Sequence, residues 1–197
     1  MKTATTILAF LLSIVASAQN QKIQKSKEET LISFTNTELF GFWSPLTDQI
    51  RGGNSVIFME VMPDETSKIY GELNLNSENA GFASFRVSKE DNTAWDLKNK
   101  SVINVTSKGD GRVYKLLVKD EATTNSVIDY SWQAQILTKN SYKKNKINLA
   151  LLKPVYRGQI IKNVPPLDTS KIVELGIQIN DKIPGKFEFN LKSITAN

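Results

Sequence analysis

From Ser55 onward, apolar and polar residues alternate in short runs. Ser55 to Met62, Lys68 to Leu75, Ala80 to Val87, Val102 to Val105, Arg112 to Val118, Val127 to Leu137, Ile147 to Leu151, Ile172 to Ile179 and Lys186 to Ile194 each read as a strand. In Lys68 to Leu75, for example, Ile69, Gly71, Leu73 and Leu75 alternate with Tyr70, Glu72 and Asn74. Side chains on a strand point to opposite faces with period two, so each run offers one face to a core and one to water. Turn residues separate the runs about every eight to twelve positions, the spacing of a β-sandwich or barrel. A sustained helical period is absent. A single helical turn is expected at Asp168 to Lys171, after Pro165-Pro166, with Asp168 or Thr169 as its cap. The pattern predicts an all-β fold in one domain over residues 38–197.

The chain upstream has a different character. Met1-Lys2 supplies a positive start, Ile7 to Val15 is apolar but too short to span a bilayer, and Ala16-Ser17-Ala18 has the small-x-small form of a cleavage site. Residues 1–18 are therefore read as a signal peptide. The mature protein is expected to be exported, to a periplasmic, cell-envelope or extracellular place, with no stable membrane span. Residues 19–37, polar and rich in lysine and glutamine at first, are read as a flexible leader. Leu39-Phe40-Gly41-Phe42-Trp43 follows, with Trp43 read as a core anchor.

Composition removes several chemistries. The chain has no cysteine and no histidine. Disulfides, thiol nucleophiles, Cys/His zinc sites and histidine-based triads are excluded. The formal charge of +5 includes Lys2 of the signal peptide, so the excess is mild. Lys139, Lys143, Lys144 and Lys146 form the one lysine cluster, read as a solvated hairpin end and not as a nucleic-acid patch.

Against that background the arginines stand out. Of 25 basic residues only four are arginine, namely Arg51, Arg86, Arg112 and Arg157. A guanidinium offers a planar fork of donors that lysine lacks. Each of the four sits among glycines or aromatics, in Arg51-Gly52-Gly53, Gly81-Phe82-Ala83-Ser84-Phe85-Arg86, Gly109-Asp110-Gly111-Arg112 and Tyr156-Arg157-Gly158. Two readings stay open. The arginines tie loops to the sheet, or they form a binding site. On the second reading the site is the loop region carrying Gln49, Arg51, Asn54, Arg86, Asp110, Arg112 and Arg157.

Those stations, in order, carry a resemblance. Asp48-Gln49-Ile50-Arg51-Gly52-Gly53-Asn54-Ser55 is followed by Gly71-Glu72-Leu73, the Gly81 to Arg86 stretch, Gly109 to Tyr114, Tyr156-Arg157-Gly158, Pro166-Leu167-Asp168, Leu175-Gly176-Ile177 and Gly185-Lys186-Phe187. Over about Leu39 to Ile194 the chain resembles the complex I intermediate-associated protein 30 family. The resemblance implies a single jelly-roll β-sandwich of the galactose-binding-like type, shared with many carbohydrate-binding modules. It also implies a non-catalytic role, since mitochondrial members are assembly chaperones for respiratory complex I. An export signal would send this chain elsewhere, so the fold is expected to transfer better than the task.

The first functional expectation is an exported, non-enzymatic module that holds a protein partner. The alternative is carbohydrate binding on exposed aromatics, with Trp95, Tyr114, Trp132 and Tyr142 as the candidate platform and Tyr70 and Tyr130 as further candidates. A hydrolase would need paired carboxylates from Asp48, Asp110, Asp129, Asp168 and Asp181, which read more simply as turn formers. No cofactor and no catalytic metal are expected. Structural calcium on Asp48, Asp110 or Asp129 is an open option, although EF-hand spacing is absent. Asn104-Val105-Thr106 fits a glycosylation acceptor.

Overall fold

The structure is a computed structural model that describes residues 27–77 and 80–197. The expected signal peptide and residues 19–26 of the leader lie outside the described residues. Among the described residues, thirteen strands form two antiparallel sheets. They are β1 (Glu29–Ser33), β2 (Phe42–Thr47), β3 (Val56–Val61), β4 (Ser67–Leu73), β5 (Ala83–Ser88), β6 (Val102–Gly109), β7 (Val113–Asp120), β8 (Ser131–Leu137), β9 (Lys143–Asn148), β10 (Lys153–Tyr156), β11 (Gln159–Ile160), β12 (Ile172–Ile179) and β13 (Gly185–Ala196). One sheet runs β3-β4-β13-β6-β9, with β1 also paired to β13. The other runs β11-β10-β8-β7-β12-β5-β2.

The two inner faces enclose one core. Ile69, Ile103, Val105, Phe187, Phe189 and Leu191 meet Val87, Leu116, Val118, Leu175, Ile177 and Ile179. Burying each such side chain stabilises by about 1.5–3 kcal/mol. Strand β13 keeps its apolar residues inward over twelve positions by changing phase. A register irregularity between Leu191 and Ser193 moves the inward set from Phe187, Phe189 and Leu191 to Ile194 and Ala196. A bulge of this kind adds one unpaired residue to a strand.

The expected leader over 19–37 is corrected at its C-terminal end. Strand β1 lies inside that range and pairs with β13, and Leu31 and Ile32 are both buried. A register irregularity between Thr30 and Ile32 turns these consecutive residues inward, which hides the strand from a period-two reading. Glu28 fastens the entry, accepting hydrogen bonds from Thr195 Oγ1 at 2.6 Å and Lys144 Nζ at 2.9 Å.

The lysine cluster is also corrected, because Lys143, Lys144 and Lys146 lie on edge strand β9. Lysines on an edge discourage pairing with another chain. The predicted strand Ile147 to Leu151 is this strand displaced, since Leu149–Leu151 forms a 3-10 turn. Asp168 caps a hydrogen-bonded turn closed by Lys171 N–H to Asp168 O at 3.1 Å, without a helix. The helical turn forms instead at Glu121–Thr124, where the Asp120 carboxylate accepts the Thr123 N–H at 2.7 Å. Asn104 is buried, and its amide donates to Asn197 Oδ1 at 2.9 Å and Thr195 Oγ1 at 3.3 Å. The folded domain therefore closes that glycosylation acceptor to solvent.

Candidate functional site: a cleft over the seven-stranded sheet

The residues of the seven-stranded sheet that point away from the core build a cleft. Register places Arg86 opposite Gly176, Gly176 opposite Leu117, and Leu117 opposite Gln133. The neighbouring row holds Leu46, Ser84, Gln178 and Lys115. Gly176 puts no side chain between Arg86 and Leu117. A Cβ there would come within 3.1 Å of the Phe85 carbonyl oxygen and 3.3 Å of Leu117. Leu117, buried yet outside the core cluster, forms the floor. The cavity above it has a volume of about 240 Å³. Arg51 and Phe82 line one part of it and Arg157 and Gly158 another.

The lip carrying Arg51 is fastened by Asp48. Residues Asp48–Arg51 form a 3-10 turn, and the buried Asp48 carboxylate faces four donors. It accepts from Ser55 N–H at 2.9 Å, Ser55 Oγ at 2.6 Å, Gly81 N–H at 2.6 Å and Phe82 N–H at 3.4 Å. Burial pushes this carboxyl up, but the hydrogen bonds from Ser55, Gly81 and Phe82 outweigh it and hold the group below its ordinary value. Gly53 is obligatory here, because a Cβ would sit 2.3 Å from the Asp48 carboxylate. One buried anion thus joins the Asp48 to Ser55 loop to the Gly81-Phe82 segment, and Arg51 comes to lie over the Phe82 ring at 5.4 Å.

Arg157 is positioned by a two-residue hairpin between β10 and β11. Arg157 has φ 49 and Gly158 φ 82, the pair of left-handed residues that a type I′ turn requires. The guanidinium lies 5.2 Å from the Tyr156 ring centroid. Arg86 stands on β5, 3.5 Å from Glu174 and 4.0 Å from Asp129, and its Nε is buried without a partner. Asp129 is also paired with Lys119. Burial works against the Asp129 carboxylate, but Lys119, Arg86 and Arg51 hold it below its ordinary range.

The remaining predicted site residues lie elsewhere. Gln49 braces its own loop, donating to Ser55 O at 3.2 Å, and neither it nor Asn54 lines the cavity. Arg112 lies at the β6–β7 end of the sandwich. It is bound in a bidentate pair to Asp181 at 2.9 and 2.7 Å and donates to the carbonyls of Lys186, Gly185 and Ile183. Asp110 closes the same hairpin, accepting from Arg112 N–H, Tyr114 Oη and Glu188 N–H. The expectation that all seven form one surface is corrected. Three arginines share the cleft, and Asp110 and Arg112 build a corner.

The aromatic platform is corrected too. Trp95 and Tyr114 are buried in the core, where Tyr114 packs 4.8 Å from the Phe189 ring. Trp132 is partly buried against the same core, and only Tyr142 is exposed, with Lys108 over its ring. Tyr114 is in phase with Leu116 and Val118, so its strand turns it inward. Tyr130 is buried as well, whereas Tyr70 stacks with exposed Phe58 on the six-stranded sheet. Asp48 and Asp110 accept protein donors and Asp129 is paired with Lys119, and among the described residues no group of three acidic residues comes together.

Sequence reasoning missed Gln133, Gln178, Asn180 and Lys182, which line the cleft with Asp129 and Ser131. Alternation alone marks Gln133 and Gln178 as outward residues. Only strand order and register bring them into one cleft with Arg86.

A sequence model described as Complex I intermediate-associated protein 30 matches residues 32–191. An uncharacterized Schizosaccharomyces pombe protein, C9E9.15, is 28% identical over 164 residues, covering 76% of this chain and 74% of its own. Among solved structures, the family 11 carbohydrate-binding module of the Clostridium thermocellum cellulase Lic26A-Cel5E superposes with a TM-score of 0.62 at 13% identity, over 86% of this chain and 94% of that one. The same module in complex with a β-1,3-1,4-mixed-linked tetrasaccharide gives 0.58 at 14% identity, with the same coverage. A family 30 carbohydrate-binding module gives 0.53 at 12% identity, over 88% and 89%. These likenesses establish the jelly-roll β-sandwich.

Proposed function

The chain belongs to the complex I intermediate-associated protein 30 family, and from that premise we propose that it is an exported, non-catalytic module that binds a glycan in the cleft over the seven-stranded sheet. One observation carries the reading. Three arginines and the side chains of Gln133, Gln178 and Asn180 converge on a single concave surface. Planar amides and guanidinium forks match the paired hydroxyls of a sugar ring. The fold relative in complex with a tetrasaccharide supports this ligand class. Among the described residues the cleft is lined by one carboxylate, Asp129, which is paired with Lys119, and not by the carboxylate pair of a typical glycosidase. Export is supported by Met1-Lys2, the apolar Ile7 to Val15 and Ala16-Ser17-Ala18.

A second reading is a protein partner, the task in the family's name. It is favoured by exposed Ile50 beside Arg51 on the lip. Affinity electrophoresis in gels containing neutral or acidic polysaccharides separates the two. Retardation by a defined polysaccharide is expected. Unretarded migration in every gel, by protein with a folded near-ultraviolet spectrum, would sink the glycan reading and favour the partner.

A further inference from the structure

Resting on the glycan reading, we infer that the cleft is built for an acidic glycan whose sugar units carry carboxylates. The first ground is charge. Among the described residues, Arg51, Arg86, Arg157 and Lys182 line the cavity, against one carboxylate, Asp129. That carboxylate is already taken by Lys119.

The second ground is unused donors. Arg112 in the corner spends its guanidinium on five acceptor atoms. Arg51 and Arg157 make no side-chain hydrogen bond or ion pair among the described residues, and each is held only over a ring. Arg86 keeps a buried Nε without a partner. A guanidinium has five donors and no acceptor, and a carboxylate engages two of them in parallel. Unspent forks gathered in one cleft call for an anion.

The third ground is strain. Arg157 occupies a left-handed position, which is strained for a residue with a Cβ. Asn or Gly would suit the turn better, so the turn accepts strain where an arginine is displayed. Lys115, outward on the adjoining row, agrees with this picture. Burial pushes its ammonium below the ordinary range, and the neighbouring Lys182 charge adds to that.

The geometry favours a sugar over other polyanions. An acidic peptide is commonly taken at a sheet edge by main-chain pairing, whereas this cleft crosses the middle of a sheet. Single-stranded nucleic acid needs open aromatic faces for its bases, and here Arg51 and Arg157 cover Phe82 and Tyr156. Gln133 leaves its amide oxygen unpartnered beside Ser131, an acceptor for a hydroxyl.

The test is titration of the full chain with polygalacturonate, alginate and hyaluronan, each beside its methyl ester. Mixed-linked β-glucan serves as a neutral control and poly-L-glutamate as an acidic non-sugar control. Binding to at least one acidic polymer is expected, with its ester and poly-L-glutamate weaker by about tenfold or more. Arg86→Gln should cost a similar factor. Arg157→Gln, on an exposed hairpin away from the core, should do the same if Arg86→Gln fails to fold. Equal binding of acid and ester, or binding of β-glucan alone, overturns the acidic inference and leaves the glycan reading standing. Equal binding of poly-L-glutamate overturns both, as does no binding to any polysaccharide by folded protein.

Discussion

Arg112 and Arg86 are the same residue type, each follows a glycine-bearing stretch, and each stands beside an acidic side chain. Arg112 is saturated. Its side chain and that of Asp181 are 11% and 10% exposed, and three carbonyls complete its shell. Arg86 meets Glu174 at 3.5 Å and Asp129 at 4.0 Å, longer than good hydrogen bonds, and Nε has nothing. The corner and the cleft teach that a sequence motif with arginine and glycine states a geometry and not a use. The use is decided by whether the fold supplies enough acceptors.

The sharpest way to break this comparison is Arg112→Ala. Removing one partner leaves the Asp181 carboxylate buried without its cation, a loss of about 3–5 kcal/mol. Urea unfolding should register that loss, while the remaining folded protein keeps its polysaccharide binding. A loss under about 1 kcal/mol would place Arg112 with the cleft arginines. Next in size is Asp48→Asn, which trades charge-assisted bonds for weaker ones. The expected loss is about 1.5–3 kcal/mol, with weaker ligand binding because the lip carrying Arg51 loosens. Unchanged stability would mean that Asp48 is not the fastening.

Acid unfolding sharpens the point further. Asp48 and Asp181 are both held below their ordinary value of 3.8, against burial, by hydrogen bonds and by the Arg112 charge at Asp181. Their stabilisation is fully present above that value and fades as the pH falls through the lower folded values. Stability measured from pH 6 downward should therefore drop below about pH 4, and Asp48→Asn should flatten that limb. A limb of equal steepness in the variant would contradict the assignment. The smallest effect is expected from Tyr142→Ala, within about 0.5 kcal/mol and with binding unchanged. Lost binding in that variant would restore the aromatic platform.

Much of the architecture could be read from alternation, because most strands have one face in the core. The strands that escaped did so for identifiable reasons. Pro45 sits within β2, which an edge strand tolerates and a pattern reading does not. Lysine-rich β9 buries only Asn145 and Ile147. The β1 bulge removes its period. At the site, the loop from Asp48 to Ser55 and the Tyr156-Arg157-Gly158 turn were readable, because glycine spacing reports backbone shape. The division of the arginines was not, since Asp181 lies 69 positions from Arg112 and only folding brings them together. Gln133 and Gln178 were invisible as members of the cleft that Arg86 lines for the same reason.

The placement of β13 has a consequence for how the molecule comes into being. Residues Gly185–Ala196 pair with β4 and β1 on one side and with β6 on the other, so a strand that follows all of its partners in the chain lies in the middle of its sheet. A ribosome that has released everything up to residue 184 has delivered β3–β4 and β6–β9 as separate ribbons, each with an open edge. They are joined only when β13, residues Gly185–Ala196, emerges. Assembly of this sheet therefore waits on distant pairings, and such closure is slow. During that wait the unpaired edges of β4 and β6 are the surfaces most exposed to mispairing with a second nascent copy.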